Sequence, residues 1–310
     1  MDYRRLCFVR TLAAVLAICA CAGTVRAQGE GPHNLPFLPV ETNVVIPMGM
    51  WLSGNVNPQQ TVLIPGASVD VIALPLTYVR TFSTGGVFTR LFITLPFATL
   101  DGSGTVNIPA GGPMDVTASA TGVMDPILNL HIGLVGTPVL SPLEFSKHPK
   151  SFQLLGILGT TVPIGHYSAT RPINLGTNRW SFRVGAGTVV FFSNTTSWES
   201  ANSVFFFTDN NAPYKADVRS QDPLFVSENH FTHSFSPVWW GSIDLRYQIG
   251  GETATDGVPD DNRTNMLGGG VSIGHQFAPH LGAYASYGRV LFGDGDAKES
   301  MVRLAFMYSF

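Results

Sequence analysis

Four arginines, Arg179, Arg183, Arg246 and Arg303, stand at alternating positions among apolar residues, and Asp125, His131, Glu228 and Asp244 occupy comparable places in other segments. Guanidinium groups pair with carboxylates or lie over aromatic rings, so such a set can select a solute by charge or stacking without bond chemistry. A constriction of mixed charge would use the same residues. The plainer reading is that these groups pair with one another across a polar interior, and it is favoured because every water-filled barrel needs one. Bond-making chemistry has less to stand on. His230 and His233 are an odd number of residues apart, so in a strand they face opposite sides and form no common cluster unless a bulge intervenes. The G-x-S-x-G match Gly270-Val271-Ser272-Ile273-Gly274 falls inside an expected strand and not at the strand-to-helix turn of a nucleophile elbow, and barrel enzymes need not have one. Asp256, Asp260, Asp261 and Asn262 offer oxygen ligands, but their spacing is not that of a calcium loop, and a solvated acidic loop fits better. No metal or cofactor is expected.

The elements that must position these side chains have a period of two. In the last ten residues Val302, Leu304, Phe306, Tyr308 and Phe310 share one face, while Arg303, Ala305 and Ser309 share the other with Met301 and Met307. Ile72, Leu74, Leu76 and Tyr78 oppose Ala73, Thr77 and Thr81; Leu91, Ile93, Leu95 and Phe97 form another apolar face. Met124, Leu128, Leu130, Ile132 and Leu134 alternate with Asp125, Asn129 and His131. Trp180, Phe182 and Val184 oppose Arg179, Ser181 and Arg183, and Trp239, Ile243, Leu245, Tyr247 and Ile249 oppose Ser242, Asp244, Arg246 and Gln248. Less regular strands are expected at 152–162, 198–208, 224–235, 267–277 and 281–290, with a further one around 44–52. A terminal strand with an apolar face would be an aggregation edge in a soluble protein, whereas in a closed barrel it pairs with the first strand. Trp180, Trp239, Tyr247, Tyr308 and Phe310, with Trp198 and Trp240, are expected in an aromatic girdle at the membrane boundary.

At the other end, Arg4, Arg5 and Arg10 precede an apolar run from Leu12 to Ala22 and the small-residue exit Val25-Arg26-Ala27, the pattern of a secretory leader. The run is far shorter than the roughly 20 residues of a spanning helix. Cys7, Cys19 and Cys21 all lie inside the leader, so cleavage after Ala27 removes every thiol. Charged residues are 13% of the chain against about 25% in a soluble domain, while hydrophobic residues are 45% and 33 Gly with 21 Pro punctuate them. A net charge of −3 with no basic patch argues against nucleic acid. The fold expected is all-β: a transmembrane antiparallel β-barrel of about 12 strands after a cleaved signal peptide. Residues 1–27 are the leader, 28–68 an N-terminal segment serving as a plug or first strand, and 69–310 the barrel.

Several segments, Pro163-Ile164-Gly165-His166-Tyr167, Ile173-Asn174-Leu175-Gly176-Thr177-Asn178-Arg179-Trp180, Phe207-Thr208-Asp209-Asn210, Gln221-Asp222-Pro223-Leu224 and Gly250-Gly251-Glu252-Thr253 with Asp256-Gly257, together resemble the bacterial outer-membrane family called "putative meta-pathway of phenol degradation". Residues 55–65 and 105–113 depart from its pattern. The resemblance implies an outer-membrane channel or transporter of a Gram-negative bacterium, and the family's name points to aromatic or other hydrophobic solutes crossing by passive or facilitated diffusion. The alternatives are a structural or surface-interaction barrel and, less favoured, an outer-membrane lipid hydrolase. The partners expected are outer-membrane lipid and lipopolysaccharide, the small solute, and the barrel-assembly machinery through the Phe310 strand.

Overall fold

The computed structural model describes residues 30–57, 62–63, 67–108, 112–171, 173–294 and 298–310. The leader expected at 1–27, with its three cysteines, lies outside the described residues. Twelve antiparallel strands form the wall: β1 (Asn43–Gly54), β2 (Ala67–Thr84), β3 (Val87–Ile108), β4 (Ile127–Val135), β5 (Gln153–Thr161), β6 (Ser181–Phe191), β7 (Thr196–Phe207), β8 (Leu224–Ser234), β9 (Trp239–Gly250), β10 (Thr264–Ala278), β11 (Leu281–Gly293) and β12 (Glu299–Ser309). Each pairs with its neighbours in chain order, and β12 returns to β1 in a register running from Val44 opposite Ser309 to Gly54 opposite Glu299. The sheet is therefore closed and leaves no edge along β1 or β12, and twelve is the even number that the period-two segments predict.

Connections differ at the two ends. Four short turns, Gly85-Gly86 and residues 192–195, 235–238 and 279–280, lie at one end, where the chain also enters β1 and leaves β12. Asn43 and Phe310 exchange backbone hydrogen bonds there, at 3.1 and 2.9 Å. Gly85 and Gly86 both have positive φ, 57° and 82°, which glycine adopts without strain and a tight hairpin requires. The fifth connection, 136–152, is longer and carries α1 (Pro142–Phe145), whose N-cap Ser141 and Glu144 form a capping box. Long loops occupy the opposite end, and three short segments, Arg219–Gln221, Thr253–Thr255 and Val258–Pro259, make a small sheet among them.

The segment Gly112–Val123 continues β4 beyond the barrel wall and pairs with the outer half of β3. Between them the register advances by one residue, from Phe97 opposite Val123 to Thr94 opposite Ile127. The extra residue turns Met124 into the interior, although its place in the alternating series put it with the outward Leu128 and Leu130. Further register shifts fall at Gly133/Val135, Leu267/Gly268 and Gln276/Ala278, and between them the alternation holds. Ile72, Leu74, Leu95, Ile243, Val302, Leu304 and Phe306 cover the outer surface and are exposed, while Thr81, Arg90, His131, Glu199, Asp244 and Arg303 are buried inside. Trp239 and Trp240 are adjacent in one strand and must face opposite sides. Trp240, expected in the girdle, turns inward, its ring edge-on to His33 at 4.5 Å.

Candidate functional site

Residues 30–42 precede β1 and run inside the barrel, and the wall holds them chiefly by their backbone. Glu199 of β7 accepts the amides of His33 and Leu35 at 3.1 and 3.2 Å, Glu228 of β8 accepts that of Glu30 at 3.0 Å, and Gln153 of β5 accepts that of Phe37 at 3.0 Å. Arg90 of β3 donates to the carbonyls of Asn34, Leu35 and Pro36. A buried carboxylate or guanidinium in a low-dielectric lumen needs such partners, and the plug's unpaired amides and carbonyls need them equally. Leu35 and Phe37 complete the seat by entering an apolar cluster with Phe88, Leu155, Ile157, Val189 and Ala201.

One side-chain contact stands out. Glu30 forms an ion pair with Arg183, whose Nε also donates to Ser203 at 2.9 Å and whose guanidinium lies over Phe205. Burial pushes the Glu30 carboxyl up, but Arg183, with His131 and Asn34, outweighs it and holds the pKa at about 2. Beside it Arg246 pairs with Glu228 at 3.3 Å, and Arg303 lies against Gly31. Gly31 has φ +89°, and a Cβ there would stand 2.5 Å from the Arg303 guanidinium. His33 faces a cavity with 36% of its side chain exposed, and partial desolvation by the surrounding wall lowers its pKa below the ordinary imidazole value, with Glu199 and Asp244 pulling the other way and His230 and Lys150 adding to the lowering.

A second network crosses strands β7 to β12. Glu199, His230 and Asp244 stand side by side in register, His230 Nδ1 lies 2.7 Å from Asp244, Ser242 and Ser272 donate to Asp244, and Ser272 meets Ser286 at 2.9 Å. The row reaches Arg303, which is opposite Ser286.

The ionic residues singled out in the sequence thus divide. Arg183, Glu228, Arg246 and Arg303 gather around Glu30 and Gly31; Asp244 belongs to the His230 row; His131 packs against Arg90, 3.1 Å away. Asp125 and Arg179 hold loops instead. Asp125 accepts the amides of Gly165 and Thr177 and the Thr177 hydroxyl, each at 2.7 Å, drawing the 162–180 loop inward so that Leu175 is buried in an apolar cluster with Leu52, Val71 and Leu100. Arg179 donates to Gln221 and lies over the Phe207 ring, and Gln221 donates to the Gly251 carbonyl. Asn178, Asn210 and Tyr167 form a further chain of hydrogen bonds. Asp260 accepts from Arg219, Thr253 and Thr255, and Asn262 bonds Thr253, so this acidic loop is tied to its neighbours. His230 is buried and His233 exposed.

Trp180, Trp239, Tyr308 and Phe310 are exposed on the outer surface. Trp180 stacks on Phe182 and Tyr247 donates to Asn265 towards the long loops, whereas Trp239 packs on His275 and Tyr308 stacks on Phe310 at the short-turn end.

Glu30, Arg90, Gln153 and Glu199 are missing from the sequence-derived set. Arg90 and Glu199 share inward parity with their strands, opposite Leu91 and Trp198, so alternation could have found them. Glu30 lies in a segment without any period.

Beside the plug is a cavity of about 390 Å³. Met48, Met50, Leu52 and Val71 from β1 and β2 line it, with Arg303 beside Met50 on the adjoining strand; Arg183, Glu228 and Arg246 line it from β6, β8 and β9 together with Phe205, Leu224 and Val226, and Glu30, Pro32, His33 and Asn34 of the plug run along it.

A closed, even-stranded antiparallel barrel with short turns at one end, long loops at the other, an apolar outer surface and an ionic interior has the fold of the bacterial outer-membrane barrels. The chain belongs to the family described as "Putative MetA-pathway of phenol degradation", whose model matches residues 53–296 and so leaves the plug outside the matched region. Among solved structures, an outer membrane channel from Pseudomonas putida F1 superposes with a TM-score of 0.74 at 19% identity, over 91% of this chain and 100% of that one. The translocator domain of the autotransporter NalP from Neisseria meningitidis gives 0.49 at 12% identity, over 99% and 96%. The first is a likeness of fold. No curated protein matches the sequence.

Proposed function

We propose that the protein is an outer-membrane channel that admits small solutes with an aromatic or otherwise hydrophobic body by passive or facilitated diffusion, and that residues 30–42 close it at rest. The cavity carries this reading: its largely apolar lining, Met48, Met50, Leu52 and Val71 among it, is broken by Arg183, Glu228, Arg246 and Arg303, an environment for a molecule with an apolar body and a polar end. The exposed apolar faces of β2, β3, β9 and β12 support membrane insertion, with Trp180 and Tyr247 at one boundary and Trp239, Tyr308 and Phe310 at the other. The family's name supports an aromatic solute. Delivery would follow cleavage near Ala27, and the Phe310 strand would present the assembly signal.

The occupied lumen favours one second reading, a permanently plugged structural barrel. Flux of phenol, benzoate and similarly sized sugars into proteoliposomes, with single-channel conductance, separates the two. Discrete openings and faster aromatic than sugar flux are expected, and both should increase in Glu30→Gln. A folded barrel that neither conducts nor passes solute, in either form, overturns the channel reading.

A further inference from the structure

We infer that the inner wall is a peptide receptor whose resident ligand is the chain's own residues 30–37 and which takes the same kind of peptide when it is supplied free. The ligand class is a short peptide with an acidic residue, glycine next to it, and apolar residues five and seven positions on, as in Glu30-Gly31-Pro32-His33-Asn34-Leu35-Pro36-Phe37.

Three observations carry this. The wall reads the segment mainly through main-chain groups, four amides accepted by Glu228, Glu199 and Gln153 and three carbonyls held by Arg90. Contacts of that kind are made to any peptide of the right conformation, as in other modes of peptide capture where main-chain bonds give affinity and side-chain pockets give specificity. Selectivity here rests on the Glu30–Arg183 pair and the apolar seat of Leu35 and Phe37, with the His33 ring against Trp240. Finally, Glu199 and Arg90 are almost wholly buried, so a departing plug would take the hydrogen bonds of a carboxylate and a guanidinium with it. The wall is built to be occupied, and the covalent link contributes only effective concentration, in the millimolar range for a short flexible tether.

The inference goes beyond transport and is tested without it. A variant lacking residues 30–38 is refolded in detergent and titrated with a fluorescent synthetic peptide spanning residues 30–40, followed by anisotropy. Saturable binding is expected, weakened at least 10-fold by serine at the Leu35 and Phe37 positions of the peptide or by Arg90→Ala in the barrel. Binding that is absent from the folded variant, or equal for a scrambled peptide, overturns the inference. Should the deletion prevent folding, the double variant Leu35→Ser, Phe37→Ser of the full-length chain keeps the test open. No cysteine follows Cys21, so in protein refolded from Gln28 an Ala201→Cys thiol reports alone on the apolar seat. Slower maleimide labelling with the free peptide present supports a receptor, and an unchanged rate overturns it. Because neither readout involves flux, failure of the channel reading leaves this result standing, and the converse.

Discussion

At Glu30 one carboxylate joins the plug to Arg183 while its own backbone amide rests on Glu228. A charge-assisted hydrogen bond contributes about 2 kcal/mol, so Glu30→Gln should raise the open fraction of the channel roughly 30-fold if the closed state is favoured by more than that. Single-channel recording measures it directly. The pKa of about 2 lies below the ordinary 4.5, so the contribution of Glu30 is complete above pH 4.5 and is lost only as the pH falls through about 2. His33 responds earlier. Its pKa is lowered, so the seated plug favours the neutral ring, and plug stability from this residue is full above pH 6.5 and declines below it. Open probability should therefore be higher at pH 5 than at pH 8, and His33→Gln should flatten the difference. The groups facing His33 are Glu199, His230, Asp244 and Lys150, with Trp240 against its edge. Gly31→Ala should also loosen the plug, since the positive φ and the nearby Arg303 leave no place for a Cβ.

At the scale of elements, β8 to β11 are joined along the inner face by side chains as well as by the ladder. Asp244 accepts from His230, Ser242 and Ser272, and removing it leaves buried donors without their acceptor. Asp244→Ala should destabilise the folded barrel by roughly 3–5 kcal/mol, seen as a lower midpoint of heat-modifiable mobility in detergent gels. The period-two pattern made these strands legible before any coordinate. It misplaced Met124 because a one-residue register step is a property of two strands together, and no single segment displays it. The loops show another boundary of sequence reading. Family-type residues such as Asn178, Asn210, Gln221 and Gly251 are scattered along the chain from 178 to 251, and hydrogen bonding between loops is what unites them.

For the molecule as a whole, the wall and the plug have different origins in the chain. Apolar and polar residues alternate in each strand because backbone geometry sends successive side chains to opposite faces, and that information is local. About twelve such segments, and ionic residues on the inward faces of several of them, could be read from residue order alone, and with them the closed barrel. Residues 30–42 carry no period, so their place could only come from the tertiary structure. A barrel this narrow brings Arg90, Gln153, Arg183, Glu199 and Glu228, from five different strands, around one stretch of chain. Their partners are groups of that one stretch, placed among them by closure of the sheet, a relation between residues as much as 198 positions apart. Charge at each position is written in the sequence; what each charge holds is decided by closure of the sheet, because buried charges must find partners wherever the fold leaves them.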